Sequence, residues 1–180
     1  GTLDILRTHE KRGLTLVSES DGGIYDALNK GIKLSTGEII GILHSDDQFA
    51  DSFVIESVMD VFKNPDIDVV YGDLIYVRND SSGSTYRKWN SGKFRTYKLG
   101  LGWMPPHPTL FMRRSLFNIH GWYDTRYSIS SDYDLILRYF GNGGVRSSHL
   151  TKVLVKMRVG GKSNCSFKHL FLKSKEDYLI

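Results

Sequence analysis

Cysteine is nearly missing from this chain of 180 residues: Cys165 is the single one, which excludes an internal disulfide framework and a cysteine-rich metal centre. It sits between Asn164 and Ser166 in a polar stretch, poor surroundings for a nucleophile. Proline is scarce, with 4 residues, and the apolar runs are only a few residues long, so no segment reads as a membrane-spanning helix. Internal repeats and low-complexity tracts are also lacking. Charge of one sign does not dominate either. Lysine and arginine number 24 against 20 aspartates and glutamates, and the resulting net charge of +4 is scattered rather than striped. Nucleic acid is therefore not an expected partner. What remains is ordinary globular composition, with 40% apolar and 24% charged residues, in a length suited to one shared core. The opening Gly1-Thr2-Leu3-Asp4-Ile5-Leu6-Arg7 has no initiator methionine and reads as the middle of a helix, not as a signal peptide; the expectation is a fragment.

Hydrophobic periodicity alternates between two types. Leu14 to Val17 predicts a short strand, and Ile24, Leu28 and Ile32 recur at helical spacing through about Lys33. Glu38 to Leu43 is an almost unbroken apolar run, as for a strand covered on both faces. It stops at His44-Ser45-Asp46-Asp47. Asp51 is placed to cap a helix with the stripe Val54, Ile55, Val58, Met59 and Phe62, followed by a strand at Asp68 to Tyr71. Strands alternating with helices predict an α/β layered domain. Beyond Gly72 the texture changes, with strands at Leu74 to Arg78 and Thr85 to Trp89 around the turn Asn79 to Ser84. Pro108 to Met112 predicts a strand, and Ser115 to His120 and Ser131 to Phe140 predict helices, each stopped by glycine. Leu150 to Met157 alternates like an exposed edge strand, and Phe167 to Tyr178 reads as a last helix.

Three groups of residues can carry chemistry. Asp46 and Asp47 directly follow an apolar strand, where open α/β sheets bind ligands, and paired carboxylates there suit a hard cation such as Mg²⁺ or Mn²⁺. Helix capping by Asp47 or Asp51 is the plainer role. The second group spans Ser18 to Gly31 and contains Asp21, Gly22, Gly23, Asp26, Asn29 and Lys30. Glycines at a strand-to-helix turn can expose N–H groups to an anion, although Asn29 and Lys30 also fit an exposed helix face. The third is Ser130-Ser131-Asp132-Tyr133-Asp134-Leu135, with Arg138 one turn on. Asp132 stands at a helix start, where the dipole favours its ionised form and so its use as a base; simple capping is the competing role.

These residues also carry a resemblance. Gly23-Ile24-Tyr25-Asp26-Ala27-Leu28-Asn29-Lys30-Gly31, Thr36-Gly37-Glu38-Ile39-Ile40 and Ser45-Asp46-Asp47 resemble bacterial family 2 glycosyltransferases of the GT-A fold. His107-Pro108-Thr109-Leu110-Phe111 with Arg113-Arg114, Gly121-Trp122-Tyr123-Asp124 and Ser131-Asp132-Tyr133-Asp134-Leu135 continue the match, which runs from about Gly1 to Asn164. The implied fold is a Rossmann-like, three-layer α/β/α sandwich of the nucleotide-diphospho-sugar transferase type. Its sheet would be mixed and mostly parallel, with the first strands missing. A donor half would cover about residues 1–78 and an acceptor half about 79–164, with 165–180 a helical tail. Gly1 to Leu6 resembles the point just after the family's Ser-Thr-Asp sequence, which implies roughly 40 to 60 further residues upstream, the size of a βαβ unit and its flanks.

The implied activity is transfer of a sugar from a nucleotide-sugar, a UDP-sugar in the first instance, to a hydroxyl with inversion at the anomeric carbon. The setting would be surface polysaccharide or lipopolysaccharide assembly, with a saccharide or lipid-linked saccharide as acceptor. By the same resemblance Asp47 is the first choice as ligand of Mn²⁺ or Mg²⁺, with Asp46 sharing the metal or meeting the ribose. Together they stand for the family's DxD motif, and His44 occupies the place of its first Asp. Asp132 corresponds to the catalytic base, with Ser131 where many relatives carry Glu, and Asp134 is held in reserve. Asp21, Asp26, Asn29, Lys30 and His107 are the implied donor contacts, and Arg113 and Arg114 are cations available to the departing diphosphate. The implied location is the cytoplasm, in peripheral contact with the inner face of the membrane. A non-catalytic nucleotide-sugar or carbohydrate binding module is the competing reading. A nucleotidyltransferase would also want paired acids, but with a glycine- and lysine-rich phosphate loop that Gly22-Gly23 does not supply.

Overall fold

The computed structural model describes residues 1–9, 13–78, 84–141, 143–159, 176, 177 and 180. Helices α1 (Thr2–Arg7), α2 (Ile24–Leu34), α3 (Val54–Phe62), α4 (Ser115–His120) and α5 (Ser131–Gly141) combine with strands β1 (Ile39–Gly41), β2 (Asp47–Phe49), β3 (Val69–Val77), β4 (Thr85–Trp89), β5 (Phe111–Arg113) and β6 (Ser147–Arg158). The strands form one sheet in the order β1-β5-β3-β6-β2, with β4 also paired to β3.

Two cores lie on opposite faces of this sheet, and β3 shows why. Its side chains alternate sides: Val69 and Tyr71 join Tyr25 and Ile32 of α2, Phe117 of α4, and Leu135, Ile136, Tyr139 and Phe140 of α5. Val70 and Leu74 face the other way, with Val54, Val58 and Phe62 of α3 and Leu154 and Val155 of β6. The result is the expected three-layer α/β/α arrangement with a mixed sheet. Its directions are less parallel than expected: β3 with β6 is the one parallel pairing among the described residues. Strand β4 runs antiparallel to β3, with all but Ser84 of the turn expected at Asn79 to Ser84 outside the described residues, and β5 runs against both β1 and β3.

Several local expectations need correction. Leu14 to Val17 lies in no strand, and Leu14 and Val17 are exposed; β1 pairs with β5 alone, so no described neighbour offers this segment a ladder. The buried stripe of α2 is Tyr25, Asn29 and Ile32, whereas Ile24 is 53% exposed. In α3 the stripe narrows to Val54, Val58 and Phe62, with Ile55 and Met59 exposed. The two strands expected on either side of Gly72 are one continuous strand. Gly72 is required there by close approach: a Cβ would come within 2.5 Å of the Leu154 side chain and 2.8 Å of the Lys152 carbonyl. The β3–β6 register shifts at this point. Strand β6 is interior, because it is hydrogen-bonded to β3 along one side and to β2 along the other. Most of the expected helix at 167–178 and Cys165 lie outside the described residues; Glu176 and Asp177 are helical.

Candidate active site

The loop ahead of α2 closes on itself. The Gly22 N–H donates to Asp26 Oδ2 at 2.9 Å and the Gly23 N–H to Asp21 Oδ1 at 3.0 Å, so both candidate anion-binding amides are already taken by the chain's own carboxylates. Gly23 has φ of 125°, a backbone open chiefly to glycine. Lys30 Nζ meets Glu19 at 2.9 Å, Asp26 at 3.2 Å and the Ser20 carbonyl at 3.0 Å. The Gly22 N–H, then Lys30, hold the Asp26 carboxyl below its ordinary range. Asp21, Asp26 and Lys30 thus form a staple on the start of α2.

Asn29 is buried and acts as a bracket. Its Nδ2 donates to the Tyr123 carbonyl at 2.8 Å, and its Oδ1 accepts the Tyr123 N–H at 3.1 Å. This fixes Tyr123, whose ring stacks on Tyr25 at 5.6 Å and whose hydroxyl lies 2.7 Å from His107 Nε2. The His107 ring is 5.9 Å from that of His44, and the His44 carbonyl accepts the Asp47 N–H at 3.0 Å. At the other end the Tyr25 hydroxyl donates to the Ile129 carbonyl at 2.5 Å and stands 3.1 Å from Asp132 Oδ1. One wall therefore runs Asp132, Tyr25, Tyr123, His107, His44, Asp47.

Its electrostatics follow from burial. Desolvation first, and the Asp132 charge second, push the Tyr25 and Tyr123 phenols well above their ordinary range, so both stay protonated. Burial lowers His107, which is neutral at neutral pH despite the opposing pull of Asp132. Asp132 is half-buried in the first turn of α5. Its Oδ1 accepts the Tyr133 N–H at 2.9 Å, and no described residue hydrogen-bonds Oδ2. Asp134 is differently committed: Arg138 holds its Oδ2 through Nε at 2.9 Å and Nη2 at 2.7 Å, while also bonding the His120 and Trp122 carbonyls. That pairing makes it a poor reserve base. Arg113 and Arg114 are both bonded to backbone carbonyls. Arg113 donates to the carbonyls of Ile67, Phe62 and Asn64 behind α3, and Arg114 to that of Ser35 behind α2.

Among the described residues, Asp47 is the site acid with a buried carboxylate oxygen left without a partner. It is 8% exposed at the start of β2, and its Oδ2 is buried with no hydrogen bond. Burial raises its pKa, His44 opposes this, and the exposed neighbour Asp46 adds to it. A buried orphan oxygen beside a second carboxylate fits a hard divalent cation. No group of three potential ligand side chains occurs among the described residues, so water and a bound diphosphate would supply the other positions.

The sequence profile described as Glycosyl transferase family 2 matches residues 1–120. The chain belongs to glycosyltransferase family 2. A PGL/p-HBAD biosynthesis glycosyltransferase of Mycobacterium bovis BCG is 31% identical over 162 residues, which is 89% of this chain and 60% of that protein. Hyaluronan synthase of Pasteurella multocida is 26% identical over 165 residues, 92% of this chain and 16% of the synthase. The family 2 chain thus spans about 60% of the length of the curated relatives first matched. Among solved structures, S. aureus TarS 1-349 in complex with UDP-GlcNAc superposes with a TM-score of 0.67 at 15% identity, covering 92% of this chain and 49% of that one. The fold of this family 2 member is GT-A. Sequence reasoning about the family site overlooked Tyr25 and Tyr123 as site walls, although both stand inside quoted motifs; Tyr25 shares the i, i+4, i+7 spacing of Asn29 and Ile32 that marks the inward face of α2.

Proposed function

We propose that this family 2 glycosyltransferase moves a sugar from a UDP-sugar to a hydroxyl of a saccharide or lipid-linked saccharide acceptor in cell-envelope assembly, inverting the anomeric carbon. The observation that carries the reading is the wall of paired rings with an uncommitted Asp132 oxygen at one end and the orphaned Asp47 oxygen at the other. UDP-GlcNAc and UDP in two of the TarS structures support the donor class. The mycobacterial relatives' PGL/p-HBAD biosynthesis name supports an envelope setting.

The acceptor oxygen attacks C1 of the donor sugar from the face opposite the diphosphate. The C1–O bond to phosphate breaks with its electron pair going to the diphosphate, and the acceptor proton passes to Asp132. General-base help of this kind is commonly worth about 10²–10⁴-fold. Asp47, with Asp46 beside it, would hold Mn²⁺ or Mg²⁺, whose chemistry is to neutralise charge on the leaving diphosphate. Tyr25 and Tyr123, both protonated, and neutral His107 keep the wall between the two acids free of added charge.

Asp132→Asn tests this. Asn caps a helix about as well as Asp but accepts no proton, so the variant in the complete gene product should melt like wild type, bind UDP normally and lose at least about 10²-fold in turnover. Full turnover in the folded variant removes the base from the mechanism. A wild-type protein that binds UDP but turns over no donor in a panel of UDP-, GDP- and dTDP-sugars is a binding module instead.

A further inference from the structure

The backbone just ahead of Asp132 is held by a residue from the far end of the chain. Glu176 is 6% exposed; its Oε1 accepts the Ser128 N–H, and its Oε2 accepts the N–H groups of Ile129 and Ser130, all at 2.9 Å. Three successive amides converging on one carboxylate form an anion nest. Every polar group of this tripeptide that matters to the base then has its direction set. The Ser130 carbonyl accepts the Asp134 N–H and starts α5. The Ile129 carbonyl and the Ser130 N–H belong to one trans peptide unit and point opposite ways. Glu176 therefore pulls on one side of that unit while Tyr25 donates to the other.

Tyr25 has one proton and two neighbours able to accept it, Ile129 O at 2.5 Å and Asp132 Oδ1 at 3.1 Å. A peptide whose N–H is bonded to a carboxylate is a stronger acceptor at its carbonyl, because bonds in series polarise one another. We infer that Glu176 is a positioning residue for the proposed transfer: it draws the Tyr25 proton onto the Ile129 carbonyl and so keeps Asp132 free to take the proton of the acceptor. This rests on the transferase reading above. Without Glu176, three inward amides lose their acceptor, the 128–130 peptides turn, and the phenol proton moves to Asp132, which then accepts one hydrogen bond too many to serve well as a base.

The test uses the complete gene product with Mn²⁺ and measures UDP release from UDP-glucose, UDP-galactose and UDP-N-acetylglucosamine with water as acceptor. Amide exchange at Ser128, Ile129 and Ser130 is followed alongside. Glu176→Ala should lower kcat at least tenfold with KM for the donor within threefold, and speed exchange at those three amides but not at Ile136 in the core. Glu176→Gln, which keeps one acceptor oxygen, should fall between, and it stands in where the alanine variant does not fold. The deciding readout is the double variant Glu176→Ala, Tyr25→Phe. With no phenol proton to occupy Asp132, it should recover part of the lost kcat, which a merely structural role for Glu176 does not allow. Unchanged kcat in the Glu176 variants, unchanged exchange at the three amides, or no recovery in the double variant overturns the inference. Absence of UDP release by wild type from all three donors fails the transferase reading, and the positioning role falls with it, whereas the exchange data still report whether the clamp exists.

Discussion

Replacing Asp47 by Asn separates a metal-ready acid from an ordinary loop acid. In the metal-free protein Asp47 holds a buried oxygen without a partner, and burial has already raised its pKa. A buried polar group left unsatisfied destabilises by about 1–3 kcal/mol; because the Asn amide still wants a partner, relief at the lower end, about 1 kcal/mol, is expected at pH 7. For a domain of this size that is about 2–4 °C in Tm. The direction with pH follows from the raised pKa. The folded state resists ionisation, so the destabilisation is complete above that pKa and fades as pH falls through it, and the two proteins should melt together in acid. Adding Mn²⁺ and UDP reverses the order. Wild type should gain about 2.7 kcal/mol at a hundredfold excess over Kd, and Asp47→Asn should gain far less. Differential scanning calorimetry of both proteins, with and without Mn²⁺ and UDP, reads all of this. A variant that melts below wild type without metal and responds equally to Mn²⁺ and UDP refutes the reasoning.

Other expectations are as direct. Asp134→Asn should cost about 1–3 kcal/mol by stripping Arg138 of its carboxylate, with kcat per folded molecule little changed; denaturant titration beside UDP release checks both. Gly72→Ala should destabilise by about 1–3 kcal/mol, since its Cβ lands 2.5 Å from Leu154, and chemical unfolding measures it. His107 has a lowered pKa from burial, so the unfolded chain binds its proton first, and stability should fall as pH drops below about 6.5. His107→Gln should flatten that part of the pH–stability curve.

The layered fold was legible because strands of period two and helices of period 3.6 leave different marks on a sequence, as Val69 to Tyr71 and Val54 to Phe62 show. Direction and neighbours were not legible. Alternation in β6 reads the same for an edge strand as for one between β2 and β3, and only the hydrogen-bond ladder tells them apart. The same limit applies at the site. Asn29, Lys30, Asp26 and Arg113 are residue types that bind phosphates and sugars as readily as they bind backbone. Their partners, the Tyr123 peptide, the Gly22 amide and the carbonyls behind α3, come from elsewhere in the chain or from one turn away. Asp46, Asp47 and Asp132 were legible as acids at element ends, but not the ring-lined wall between them, which joins α2 to segments about a hundred residues later. Glu176 gave no local signal at all, since its three partners lie 46 to 48 residues upstream.

The central claim is inverting transfer from a nucleotide-sugar, and the anomeric configuration of the product tests it most directly. A UDP-α-sugar incubated with Mn²⁺ and the complete gene product, followed by proton NMR from the first minutes, should yield the β anomer before mutarotation or, on an acceptor, a β linkage. Initial appearance of the α anomer, or no sugar released or transferred from any donor, contradicts the account.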